Sequence, residues 1–226
     1  MGVLLSALAP VFIIAIYIYF RDKYEKEPLG MLVKALLGGM LVVIPIMFVE
    51  RGLMAVMPFE EKVGQAAWQA FVVAASTEEL FKYLALYVLV WRSRHFNEQF
   101  DGIVYAVFVS LGFAMVENVM YVMDGGYQTA LLRALTAVPA HAVFGVTMGF
   151  YFGIARRYEE VRKAHLWKAI AIPILLHGIY DFILMVEISW LLALFIPFVI
   201  YLWISGNRLM KKLSAVSVFR PEADQE

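Results

Sequence analysis

The stretch Ser76-Thr77-Glu78-Glu79-Leu80-Phe81-Lys82-Tyr83 sets two adjacent carboxylates and a lysine inside an apolar run from about Ala66 to Trp91. Charged side chains at that depth in a bilayer cost roughly 2.5–3.5 kcal/mol each on insertion scales, so three of them in one turn mark a functional-site candidate. On a helix Glu78 and Lys82 are i,i+4 neighbours and can pair, while Glu79 is turned by about 100° and faces elsewhere. A plain salt bridge with one extra carboxylate is the bland alternative, but an apolar pair would serve packing at lower cost. Three further apolar runs carry groups of complementary kinds. One has Glu117 and Asn118, with Phe113 one turn before; one has His141, just after Pro139; one has Pro173, His177 and Asp181 on a shared face. A single membrane histidine is more often a packing hydrogen-bonder, and a single glutamate near a span end can reach interfacial water. Two histidines with carboxylates on separate spans point to chemistry.

Carboxylates with imidazoles suit three jobs. A glutamate can take the proton of a water that attacks a carbonyl, while histidine or asparagine donors hold the oxyanion. Two histidines and a glutamate (His141, His177 and Glu117) can ligate Zn²⁺ while a second glutamate acts as base, although the HExxH spacing is absent. Buried carboxylates and histidines can also relay protons or ions in a transporter. Ser76 and Ser110 lack a nucleophile-elbow context, which leaves serine hydrolysis poorly supported. A bis-histidine haem between His141 and His177 would give Glu78, Glu79 and Lys82 no role.

The elements that position these residues are membrane spans. The chain has 226 residues, of which 62% are hydrophobic, and a mean hydropathy of +0.74. A soluble domain runs about 45–50% apolar. No basic groove interleaved with aromatics suggests nucleic acid, and the lack of cysteine excludes disulfides and thiolate chemistry. Seven apolar runs approach the roughly 20 residues of a spanning helix: Val3–Phe20, Met31–Val49, Ala66–Trp91, Gly102–Met123, Ala130–Ala155, Lys168–Val186 and Ser189–Ser205. The last two form a tight hairpin around Glu187, and Glu50–Gln65 is a longer, interfacial connection. The N-terminal run has no cleavable-signal pattern and reads as a retained first helix. Arg21, Lys23 and Lys26, then Arg92 and Arg94, then Arg156, Arg157, Arg162, Lys163 and Lys168, then Arg208, Lys211, Lys212 and Arg220 crowd alternate connections. That bias puts the N-terminus outside and the tail after Ser205 in the cytoplasm. The expected fold is an all-α polytopic transmembrane bundle of about seven spans. A single domain covers 1–210, its motif-bearing core about 66–187, with a short tail over 211–226 that ends in a disordered stretch from Arg220. Counting at about 1.5 Å per residue from the outer span ends, the glutamates lie roughly 13 residues (Glu78, Glu79) and 6 residues (Glu117) deep, with His141 and His177 at about 11 and 9. One slab between the midplane and the outer third holds them all.

At these residues the chain resembles the PrsW family of intramembrane proteases. Glu78-Glu79-Leu80-Phe81-Lys82 looks like its EExxK motif, and Phe113-Ala-Met-Val-Glu117-Asn118 like FxxxEN. His141-Ala142-Val143-Phe144-Gly145 and His177-Gly178-Ile179-Tyr180-Asp181 are similar to its two histidine motifs. All four stand in family order over about residues 70–185. The distantly related CAAX prenyl endopeptidases carry a histidine where this chain has Glu117. The resemblance implies a protease that cuts single-span anti-sigma factors on their outer side. By analogy with the CAAX enzymes Glu78 is the base; by local pairing of Glu78 with Lys82 the freer carboxylate is Glu79. His141 and His177 stabilise the oxyanion or bind a metal, Glu117 and Asn118 orient the site, Asp181 supports His177, and Lys82 neutralises a carboxylate. The alternative is a proton- or ion-coupled transporter or a non-proteolytic sensor on the same bundle.

Overall fold

The structure is a computed structural model that describes residues 2–221; of the expected disordered end, residues 222–226 lie outside the described residues. Every regular element among the described residues is helical. In order they are α1 (Gly2–Arg21), α2 (Leu29–Leu41), α3 (Val43–Ala55), α4 (Lys62–Ala67), a π-helical segment (Trp68–Ala75), α5 (Ser76–Val90), α6 (Gln99–Leu135), α7 (Ala137–Arg157), α8 (Arg162–Met185) and α9 (Ser189–Ala215). Among the described residues, five helical stretches are long and apolar enough to cross a membrane: Gly2–Arg21, Leu29–Ala55, Gln99–Arg157, Arg162–Met185 and Ser189–Ala215. The expected run Ala66–Trp91 is wound in three pieces of 6, 8 and 15 residues, each shorter than a span. The Gln99–Arg157 stretch covers two expected runs, and it contains a reversal. Gly126 sits at φ 68°, ψ −157° inside α6, in the left-handed half of the map that glycine enters at no steric cost. Arg133 then bonds Glu117 and Asn118, which a straight helix would hold roughly 24 Å away. Residues 127–135 therefore fold back along the preceding helix.

The first part of α6 is the centre of the bundle. Ile103, Val104, Tyr105, Ala106, Val107, Val109 and Leu111 are all fully buried, as expected of a helix that is apolar all round. Phe12, Phe20, Phe48 and Ile196 on the outer helices are more than 45% exposed, as lipid-facing side chains are. The period-four glycines of α7 do what small-residue ladders do: they let two backbones touch. A Cβ on Gly149 would collide with the carbonyl of Gly102 in α6. Further along α6 a Cβ on Gly112 would collide with the carbonyl of Leu36 in α2. These close approaches fix the depth of α6 relative to α7, and with it the relative height of Glu117 and His141. The connection between α8 and α9 is Val186–Ile188, with Glu187 at φ 55°.

The basic connections meet at one end of the bundle. Asn97 Nδ2 donates to Glu25 Oε1, Ser217 Oγ to Glu98 Oε2, and the Arg156 guanidinium lies over the Trp91 ring. At this end Phe152 is packed among Trp91, Phe96, Tyr83 and Tyr87. Beside it lies a buried acidic group: Asp22, Glu27, Glu98 and Asp101. Lys26 Nζ donates to the carbonyls of Tyr19 and Asp22 rather than to a carboxylate, while the Tyr105 hydroxyl donates to Glu27. Burial, helped by the nearby charges of Asp101 and Glu98, pushes the Asp22 carboxyl up to about 7. Burial pushes Glu27 up as well, against the hydrogen bonds from Tyr105 and Asp101. Both folded-state values are above the ordinary carboxylate range, so the folded chain holds more protons than the unfolded one between about pH 4 and 7. Stability is then full below the ordinary carboxylate values and falls as pH rises through about 7. Thermal unfolding in detergent should give a higher midpoint at pH 5 than at pH 8, and Asp22→Asn with Glu27→Gln should shrink that gap. An unchanged gap in the double variant would assign the slope to other groups.

Candidate active site

The sequence turns Glu78 and Glu79 inward through the π segment before them. From Trp68 to Ala75 the chain follows π-helical winding, and the Ser76 hydroxyl takes the Phe71 carbonyl at 2.6 Å. Such winding is rare and is often found at functional sites. Directly after it, Thr77, Glu78, Glu79 and Lys82 are all buried. Lys82 Nζ donates to Glu79 Oε1 at 2.8 Å and to Glu78 Oε2 at 3.0 Å. The expected i,i+4 pair is therefore half of the arrangement, because the long lysine stem also reaches the i+3 partner. The ammonium stands 4.0 Å from the Phe113 ring centroid and 3.3 Å from His141 Nδ1.

The other helices close around this group. His177 Nδ1 lies 3.0 Å from Glu79 Oε1 and 3.9 Å from Glu78 Oε2, while its Nε2 lies 3.2 Å from Asp181 Oδ2. The Phe144 ring stacks on the His177 ring, with centroids 4.9 Å apart and planes at 19°. His141 Nε2 meets Glu117 Oε2 at 3.0 Å. The two imidazoles stand edge to face, 5.3 Å between centroids. Glu117 Oε2 also accepts from Arg133 at 2.6 Å, and Arg133 Nε donates to Asn118 Oδ1 at 2.7 Å. Asn118 is fully buried and its amide donates to the Ala7 carbonyl of α1. All the residues singled out in the sequence thus fall in one connected polar group, with Asn118 at its far edge, turned toward α1.

A cavity of about 750 Å³ opens onto this group. Glu78, Glu117, His141, His177, Asp181 and Arg133 line it; Glu79 and Lys82 lie behind. Glu79 is fully buried, and its Oε2 has no hydrogen-bond partner. Glu78 is the member of the glutamate pair that reaches the open space.

Residues 27–205 match the sequence model of a family described as PrsW family intramembrane metalloprotease. The chain is 40% identical over 218 residues to Protease PrsW of Geobacillus kaustophilus, covering 96% of this chain and 94% of that one. It is 36% identical over 220 residues to Protease PrsW of Bacillus subtilis, covering 97% and 99%. It is 39% identical over 218 residues to Protease PrsW of Clostridioides difficile, covering 93% and 91%.

The chain belongs to the PrsW family of intramembrane proteases.

It is accordingly a peptidase and a multi-pass membrane protein. No solved structure matches it. The family's description includes a metal, and the donors for one are present. Glu78, Glu79, His141 and His177 each offer a ligand atom, all within 4.8 Å of one another and all buried. This differs from the set expected from the sequence by including the paired glutamates and leaving out Glu117, which binds His141 from its other side. The donors fit a metal in type and spacing. They do not fit one in charge, because the Lys82 ammonium already stands in hydrogen-bond range of three of the four residues.

Two further ionisable residues of this PrsW chain, Arg133 and Glu50, line the cavity and lie outside the four motifs. Arg133 lies inside the run Ala130–Ala155 and Glu50 follows the run Met31–Val49. The signal for Arg133 was there, since an ionised residue within a span is a functional-site candidate by default.

Proposed function

We propose that this chain hydrolyses a peptide bond of a single-span membrane protein by glutamate-activated water, with Glu78 as the base. The observation that carries the reading is the cavity: Glu78 lines it beside His177, His141 and Glu117, while Glu79 is sealed behind. A carboxylate oxygen on the cavity wall can accept a proton from water as the water oxygen attacks the substrate carbonyl. His177 Nδ1 is held by Glu79 and its Nε2 by Asp181; Nε2 turns its hydrogen from Asp181 to the oxyanion as that forms. When the C–N bond breaks, Glu78 returns the proton to the leaving amine, and the carboxylate is restored. Glu79 and Lys82 hold this geometry from below. Glu117, with Arg133 and His141, holds it from the side.

Seven passes follow if α1, α2 with α3, α4 through α5, the two arms of Gln99–Arg157, α8 and α9 each cross once. The basic end then faces the cytoplasm and the cavity opens toward the outer half of the membrane. A substrate of the anti-sigma-factor kind, cut on its outer side to start regulated proteolysis, suits that direction of access. The test is co-reconstitution of the purified protein with a single-span anti-sigma-factor-like substrate carrying a different tag at each end. One cut on the side away from the basic loops is expected, and His177→Ala should abolish it. An intact substrate, a cut on the basic side, or cleavage by His177→Ala protein would each reject the reading.

A further inference from the structure

An ammonium has three hydrogens to donate and no lone pair. Lys82 Nζ has three acceptors in range: Glu79 Oε1 at 2.8 Å, Glu78 Oε2 at 3.0 Å and His141 Nδ1 at 3.3 Å. Its fourth side is against the Phe113 ring, 4.0 Å from the centroid, a face that attracts cations. The side chain is fully buried. A protonated lysine therefore has every hydrogen engaged.

The tautomer of His141 follows from this arrangement. Facing an ammonium, Nδ1 must accept, so Nε2 carries the ring hydrogen and donates to Glu117 Oε2 at 3.0 Å. Neither nitrogen of His141 is then free to ligate a metal. Zinc sits about 2.0–2.2 Å from nitrogen and oxygen ligands. An ion bound jointly by Glu78, Glu79 and His141 would occupy the space in which Nζ now stands.

We propose that Glu78, Glu79, His141 and His177 form a metal-type donor set whose cation is Lys82 itself: the ammonium and a divalent ion exclude each other at this site. The lysine supplies the positive charge that holds two carboxylates side by side, with a geometry that leaves Glu78 on the cavity wall. This inference rests on the proteolytic reading only for what the site is used for; the exclusion stands on the contacts alone. It is a positioning role, because Lys82 lies behind the cavity lining.

The experiment is metal analysis of the purified full-length protein after dialysis against a zinc buffer, for the wild type, Lys82→Ala and Lys82→Met, with cleavage of the tagged substrate measured before and after chelation. The wild type should hold well under one zinc per chain and keep its cleavage rate in chelator. Both variants lose the ammonium and leave two buried carboxylates beside a histidine, so they should gain about one zinc per chain. Use of two replacements, one small and one close in length to lysine, guards against a single misfolded variant. Retention of about one zinc per wild-type chain would overturn the proposal. Failure of both folded variants to take up more zinc than the wild type would overturn it too. A wild type that holds no zinc and cuts nothing, with variants that gain zinc, would sustain the exclusion while rejecting the proteolytic reading.

Discussion

Glu78→Gln is expected to give a protein that folds normally and does not cut, whereas Glu79→Gln is expected to lose folding stability and activity together. The two glutamates are neighbours in sequence but have different surroundings. Glu78 gives one oxygen to Lys82 and lines the cavity. A glutamine there keeps an oxygen for the ammonium and removes the base, which is worth about 10²–10⁴-fold in rate. Glu79 lies between Lys82 and His177 and is fully buried. Removing one partner from a buried ion pair costs about 3–5 kcal/mol, because the remaining charge is left uncompensated. Thermal unfolding in detergent, run alongside cleavage of the co-reconstituted substrate, separates the two cases. A normal midpoint and normal cleavage for Glu78→Gln would remove it as the base. A normal midpoint with no cleavage for Glu79→Gln would move the base assignment there.

Arg133→Gln is expected to lower the cleavage rate by about 10²-fold, the scale of a small misplacement of reacting groups, with Arg133→Lys recovering only part of it. The guanidinium holds two targets at once, the Glu117 carboxylate through one nitrogen and the Asn118 amide oxygen through another. Lysine offers a point charge and cannot reproduce that fork. The same contact ties residues 127–135, which follow the reversal at Gly126, back onto the helix that carries Glu117. Hydrogen exchange over 127–136 should therefore rise in Arg133→Gln along with the loss of rate. A variant with unchanged exchange and a rate within a few-fold of wild type would show that Arg133 merely lines the cavity.

The residues of the site were legible because their types are expensive in a membrane. Glu78, Glu79, Lys82, Glu117, His141 and His177 each interrupt an apolar run, and an interruption of that kind needs only composition to be seen. Their meeting at one depth was also legible, from the rise per residue. What was not legible came from reach and winding. Pattern alone pairs Lys82 with its i+4 neighbour and cannot say that the stem also spans to Glu79. Arg133 was absorbed into a hydrophobic window, so the span was drawn through a residue that instead clamps a fold-back. The Gly125-Gly126 pair carries an ordinary turn signal, but spotting a turn does not reveal that the following helix doubles back to reach position 117. The period-four glycines of α7 let another backbone come close, but their spacing does not name α6 as the partner.

The π segment has a consequence for how the site is indexed. A π turn holds about one residue more than the α turn it replaces, so it offsets everything downstream by roughly 100° around the axis. Wound as plain α from Lys62 onward, the chain would present Thr77 at the angular station that Glu78 holds, and Glu78 at the station of Glu79. The cavity would then face a hydroxyl where Glu78 now stands, leaving Glu117 and Asp181 as the carboxylates nearest the two histidines on its wall. The choice of which side chain faces the cavity is thus made upstream, in Trp68–Ala75, a stretch with no ionisable residue of its own. Those eight residues, seven of them apolar, act as a phase setting for the helix that carries Glu78 and Glu79, and a one-residue insertion or deletion among them would advance or retard the site by one place.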